Sequence, residues 1–223
     1  MKTSENITTP ILVVLACWAA FSIALGSLGI FTAGPNELPI ALIVYIVVPP
    51  VLFLLGYAYS PRVQEITRSL DLRFLTAMQA WRIVGVMFLV LMSFGLLPGT
   101  FAWPAGVGDL IVGVYAPFVV LFIARQTPGW HTHAVLLNVL GLLDFVGAIG
   151  GGILSSSSAA GIFGGAVTSD IMTQLPLCII PTFFVPCWII LHIISLIQLR
   201  ETSPVTNRKA PTGGKMPKAG AGM

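Results

Sequence analysis

The chain has 223 residues, of which 56% are hydrophobic and only 9% charged, with a mean hydropathy of +0.95 and a formal net charge of +3. Soluble domains carry about 25% charged residues, because a surface facing water needs them. A chain this poor in charge has lipid as its solvent, which excludes an ordinary soluble domain.

Six windows are long and apolar enough to cross a hydrocarbon core of about 30 Å at about 1.5 Å per helical residue. They run over residues 11–31, 38–59, 83–101, 106–124, 134–154 and 175–199. The sequence therefore predicts an all-α integral membrane protein, a bundle of six transmembrane helices with both termini cytoplasmic. Residues 1–10 form a cytoplasmic N-terminus in this reading, and residues 200–223 a disordered basic tail. Lys2 precedes the first apolar run as in a signal peptide, but the run is longer than a usual signal core and lacks a persuasive A-x-A site. A retained first helix is expected.

The basic residues set the orientation. Lys2 precedes the first window, and Arg62, Arg68, Arg73 and Arg82 lie between the second and third. Arg125 follows the fourth, and Arg200, Arg208, Lys209, Lys215 and Lys218 follow the sixth. In a six-span arrangement all of them face one side, while the opposite loops carry only Glu37, Asp109 and Asp170. The expected location is the cell inner (plasma) membrane.

The connections differ. Ser60 to Arg82 mixes charges with apolar residues, as a helix along the membrane surface does, and a plain solvated loop reads equally well. LPGTFAWPAGVGD is expected to be a tight outer turn with Trp103 at headgroup depth. SSSSAAGIFGGAVTSD reads as a flexible or partly re-entrant outer loop. The tail after Glu201 has no apolar period, and its charge suits anionic lipids, as does that of the inner loop. VVPPVLFLL, YAPFVVLFI and FVPCWIILH share a proline before an apolar run, which chance accounts for. The lipid bilayer is the expected partner, with a membrane-protein partner or homo-oligomer open; the basic residues form no nucleic-acid patch.

Ionisable groups inside a bilayer are costly, about 2.5–3.5 kcal/mol each on insertion scales, and so are candidates for function. Asp144 lies near the middle of the fifth window, on a helical stripe with Gly141, Gly147, Ala148 and Gly151; Asn138 lies to one side. It is a proton- or cation-binding carboxylate, or one half of an interhelical hydrogen bond. His192 in the sixth window lies within about a turn of the same depth, so the two could form a proton relay or orient an imidazole. Arg82 opens the third window, where it could snorkel to headgroups or contact an anion. Asp109, at the start of the fourth, is read as a structural or capping carboxylate. The candidate ligand or proton sites are thus Asp144, His192, Asn138 and Arg82.

His131 and His133, in GWHTHA, lack the carboxylate or cysteine that would complete a metal site, and a haem would need a second intramembrane histidine. No cofactor or metal is expected. Cys17, Cys178 and Cys187 lie in apolar stretches and read as small buried hydrophobes. No nucleotide-binding glycine loop, H-E-x-x-H or G-x-S-x-G is present.

AWRIVGVMFLVLMSFGLLPGTFAWPAGVGD, NVLGLLDFVGAIGGG and LPLCIIPTFFVPCWIILHIISLIQLR together resemble small multi-pass bacterial inner-membrane proteins without assigned function. The resemblance spans roughly the last three-fifths of the chain and implies no activity and no site residue. Three functions stay open: a small permease or channel-like protein for a small solute or ion, a non-catalytic accessory or lipid-interacting subunit, and a membrane-embedded enzyme using Asp144 and His192. No catalytic residue is assigned.

Overall fold

A computed structural model describes residues 2–35 and 37–202 of the chain. Residues 203–223, with their expected attraction to anionic lipids, lie outside the described residues. The described chain is helical and has six helices long and apolar enough to cross a membrane, as a multi-pass membrane protein has.

Among the described residues the fold is carried by eight α-helices: α1 (Lys2–Ser27), α2 (Ile40–Tyr59), α3 (Pro61–Ser69), α4 (Leu72–Met78), α5 (Val86–Ser93), α6 (Gly99–Arg125), α7 (Trp130–Leu154) and α8 (Val185–Glu201). α4 and α5 are the two ends of one span, joined by a 3₁₀ stretch over Gln79–Gly85. A π-helical stretch, Ile180–Phe184, opens the last span and runs into α8. Polarity is inverted relative to a soluble protein: Val14, Leu52 and Val146 are 64%, 61% and 71% exposed, whereas Arg82 and His192 are 0% exposed.

The third span corrects the sequence reading. It runs over Leu72–Ser93, eleven residues ahead of the expected start at Ile83. Asp71 begins it as an N-cap, its carboxylate accepting the backbone N–H of Arg73 at 2.8 Å. Only the first part of the expected surface segment is a separate helix: α3 starts at Pro61, where a proline costs no hydrogen bond. α3 is tied to the last span, because Gln198 donates to the carbonyls of Thr67 and Leu70 at 2.7 and 2.9 Å, and Arg68 meets Glu201 at 3.0 Å.

A second correction follows. The residues expected to form an outer turn, Leu97 to Asp109, instead mostly belong to α6, which begins at Gly99 and runs for 27 residues. The real turn is at Phe94–Pro98, where Gly95 takes φ +70°, a value L-residues avoid. At the far end, Gln126 and Gly129 both adopt left-handed backbone and fold α7 back against α6.

α6 is the centre of the bundle, packing on α7, α5 and the 3₁₀ stretch. Near the Arg125–Trp130 turn, Val112, Ala116, Val119, Leu137 and Leu199 form one core. A second lies toward the other end around Phe88, Phe101 and Met172, and a third between α2, α7 and the last span around Ile46, Phe145 and Val185. α1 sits at the edge, touching the π-helical stretch, with Trp18 edge-on to Phe183 at 5.2 Å. Cys178 is buried as expected, but Cys17 is exposed on the outer face of α1, where apolar surroundings require no burial within the protein.

The serine-rich segment after α7 is a hydrogen-bonded cap at its two ends, while its tip, 162–167, is exposed. Ser155, Ser156, Ser158 and Ser169 are buried. Ser155 bonds Thr100 at 2.8 Å, Ser169 donates to the Gly152 carbonyl, and Asp170 accepts from Ser157 N–H and Thr168 Oγ1. Ala159 N–H donates to the Glu37 carbonyl at 3.1 Å, fastening the cap to the α1–α2 connection.

Candidate functional site

A 3₁₀ helix repeats every three residues, so side chains three apart stack in rows. On span three this puts Gln79, Arg82 and Gly85 in one buried row, continued into α4 by Thr76. Met78, Trp81 and Val84 form the neighbouring row, whose Trp81 and Val84 are exposed. Arg82 is thereby carried to the middle of its span and turned wholly inward. The expectation that it snorkels to headgroups is corrected: at 0% exposure it has no route to the surface.

Three helices, α6, α7 and α8, supply its partners. Its Nε donates to Asp109 Oδ1 at 2.7 Å, and its Nη2 donates to Asp144 Oδ2. Nη1 reaches the Gly141 carbonyl at 3.3 Å and His192 Nε2 at 3.1 Å. The guanidinium carbon lies 3.9 Å from the centroid of the Phe145 ring, a cation–π contact. An arginine alone at mid-membrane is strongly unfavourable; here the charge is offset by two carboxylates and its donors are engaged.

The histidine's tautomer follows from its neighbours. Asn138 Nδ2 donates to the Ala134 carbonyl at 2.8 Å, which turns Asn138 Oδ1 toward His192 Nδ1, also at 2.8 Å. Nδ1 must then carry the proton, leaving Nε2 to accept from Arg82. The ring is neutral and both nitrogens are occupied. Asn138, read from sequence as lying to one side, is 2% exposed and holds this histidine in place.

Close approach is what the glycines provide. A Cβ at Gly141 would collide with the His192 ring and Arg82 Nη1, and one at Gly108 would collide with the Asp144 carboxylate. Gly147, expected on the same working stripe as Asp144, has nothing within 4 Å of a built Cβ.

The structure thus brings Asp144, His192, Asn138 and Arg82 together, with Arg82 bridging the Asp144–His192 pair that depth alone suggested. It also adds Asp109, whose capping role is corrected: α6 starts well before it, at Gly99, and its carboxylate pairs with Arg82 in mid-helix. Phe145 was not among the sequence candidates, although its place next to Asp144 was a usable signal. Gln79 is 1% exposed, and neither its Oε1 nor its Nε2 has a protein partner among the described residues. His131 and His133 lie apart from the cluster: His131 donates to the Leu199 carbonyl at 2.8 Å, and His133 meets the Tyr115 hydroxyl at 2.6 Å. Among the described residues no group of three histidine, cysteine or acidic side chains is arranged to hold a metal.

Two cavities meet at Asp109. The first, about 270 Å³, starts beneath the serine-rich cap at Thr32, Ser156 and Asp170 and descends past Phe101 and Phe88. The second, about 410 Å³, lies between the Met78–Trp81–Val84 row and Phe184 of the π-helical stretch. Both are lined by Phe88, Asp109, Ile180 and Trp188. Asp109 Oδ1 is taken by Arg82, whereas Oδ2 has no hydrogen-bond donor among the described residues. Asp144 and His192 line neither cavity.

Residues 39–200 match the family model of a domain of unknown function, DUF8737, and the chain belongs to that family. The match takes in α2 through nearly all of α8, with every residue of the cluster, and leaves out α1. No curated protein and no solved structure matches the chain.

Proposed function

We propose that this member of the DUF8737 family is a permease-like protein of the cytoplasmic membrane for a small solute or ion, with both termini inside, whose buried cluster takes up a proton or a monovalent cation. The observation that carries this reading is a charge imbalance at the floor of a cavity. Two carboxylates, Asp109 and Asp144, face one guanidinium, and His192 is neutral. A net negative charge in a low-dielectric interior is strongly disfavoured, so the cluster calls for one further positive charge. Asp109 gives that charge a route in, because it lines both cavities.

The corrected spans also favour the orientation. With Arg82 and Asp109 moved into the bundle, Arg62, Arg68, Arg73, Arg125 and Arg200 remain at one end and Glu37 and Asp170 at the other. Reporter fusions after Arg68 and Thr127 should read cytoplasmic and one after Ser156 external; a cytoplasmic signal at Ser156 overturns the topology. The enzyme reading finds no support in this geometry, since His192 has no free ring nitrogen and meets no cavity. The accessory-subunit reading, which predicts a dry interior and a large apolar partner surface, gives no role to the Asp109 carboxylate where the two cavities meet.

The function is tested in proteoliposomes loaded with a pH-sensitive dye under an inward-directed membrane potential. The wild-type chain should acidify the lumen faster than protein-free vesicles, and Asp109→Asn should remove the difference. The amide keeps the shape and can still accept from Arg82, so folding is retained. Equal rates for wild type, Asp109→Asn and protein-free vesicles would overturn the reading.

A further inference from the structure

We propose that the second cavity is a lateral portal through which a lipophilic organic cation passes from the bilayer to Asp109. The inference rests on the reading above and supplies its substrate class.

The portal lies where two helices depart from α-geometry. Its one wall is the Met78–Trp81–Val84 row of the 3₁₀ stretch, and its other is Ile180 and Phe184 of the π-helical stretch. Stretches of 3₁₀ within a helix and single π turns are both common at functional positions. Trp81, Val84 and Phe184 are 66%, 49% and 43% exposed, on the apolar outer surface of a chain whose solvent is lipid. A solute entering here comes from the acyl chains and has to be apolar over most of its surface.

What it meets inside narrows its chemistry further. The inner end of the portal holds Trp188, stacked on Phe184 at 5.5 Å and on Phe145 at 6.3 Å. Beside these faces is Asp109, whose Oδ2 lies next to Gly85, also a wall of this cavity, and has no donor among the described residues. An aromatic lining with one carboxylate and no basic side chain suits a delocalised or quaternary cation, which offers charge without hydrogen bonds. An anion would find only a carboxylate, and a neutral apolar solute would leave the cluster's negative charge unanswered.

The charge count makes binding an exchange. The groups facing Asp109 are Arg82 from span three, Asp144 from α7 and, through Arg82, His192 from α8; Asp170 stands at the rim of the first cavity. With one carboxyl protonated the cluster is neutral. When a monocation docks, that carboxyl O–H ionises and its proton leaves to water, so one cation enters and one proton departs. No covalent bond to carbon forms or breaks.

The test uses the full chain in lipid nanodiscs, with tetraphenylphosphonium as the probe and protein-free nanodiscs as background. Saturable binding is expected, with release of one proton per probe bound, read with a pH indicator in weak buffer. Asp109→Asn should weaken binding about tenfold or more and abolish the proton release. Val84→Trp, which narrows the portal and keeps Asp109, should slow association about tenfold. Triphenylphosphine oxide, similar in its aryl groups but uncharged, should not compete. Equal affinity for Asp109→Asn, competition by the oxide, or unchanged association in Val84→Trp overturns the proposal. If the probe does not bind while vesicle acidification still depends on Asp109, the portal fails alone; if both are lost, the permease reading fails with it.

Discussion

On the side of Arg82 toward the Arg125–Trp130 turn, α6, α7 and α8 close directly on one another. Val112, Ala116, Val119, Leu137 and Leu199 are each at most 2% exposed there. Toward the serine-rich cap α6 and α7 remain in contact, but Phe88, Phe101 and Phe145 border a cavity that extends to the last span and the cap. The closed half uses small and branched residues that let helices touch. The open half uses aromatics and glycines, which hold a space with rigid walls. One half is thus sealed and the other hollow, and the charge cluster divides them.

That contrast is open to breakage by mutation. The largest effect is expected at the dividing line. Arg82→Met leaves Asp109 and Asp144 buried without their partner and should cost about 3–5 kcal/mol of stability in detergent, read by thermal or denaturant unfolding. The triple variant Arg82→Met, Asp109→Asn, Asp144→Asn should recover most of that loss, since the charges go together; no recovery would mean that the cluster does not act as one unit. Leu137→Ala, in the sealed half, should cost about 2–4 kcal/mol, whereas Ile153→Ala, on the cavity wall, should cost under about 1 kcal/mol, because its methyls border open space. Equal losses would show that the two halves are packed alike.

The smallest effect lies outside both halves, at the cap of span three. Asp71→Ala should cost about 0.5–1 kcal/mol, the low end for an N-cap, since its ion pair with Arg73 is exposed and screened by solvent. The hydrogen bond from Arg73 holds the Asp71 carboxyl below its ordinary value, with the Arg73 backbone N–H adding to it. The stabilisation is therefore complete above the unfolded-state value of about 3.9 and is lost as the pH falls through the lowered folded-state value. Unfolding of the wild type and of Asp71→Ala should converge below that window.

The six apolar helices were legible because lipid imposes length and hydropathy directly on sequence. The third failed in register for one reason: Arg73 and Arg82 lower the hydropathy of residues 72–82, and the carboxylates that offset Arg82 lie on other helices, where no window can see them. The error propagated, since starting the span late pushed its end to Phe101 and made the first turns of α6 look like a loop that left Asp109 as a cap. Within the cluster, Asp144, Asn138 and His192 were legible from depth and helical face. Arg82 as their common partner was not, although the spacing of Thr76, Gln79, Arg82 and Gly85 by threes was there to be read as a 3₁₀ row. The serine-rich cap was hidden because its order comes from hydrogen bonds to Thr100, Gly152 and Glu37, remote in sequence.

The π-helical stretch divides the last span into parts that tolerate changes in length differently. An α-helical residue turns the chain by about 100°, whereas a π turn holds one residue more than an α turn. Removing one residue between Ile180 and Phe184 would let the stretch relax to an ordinary α-helical turn and leave the two halves of the span close to their present phase, reshaping only the wall where the cavities meet. Removing one between Val185 and His192 would instead swing His192 off Arg82. Within α8, tolerance is thus set by counting residues rather than by their chemistry, the reverse of the rule for the serine-rich cap, where polar identity matters.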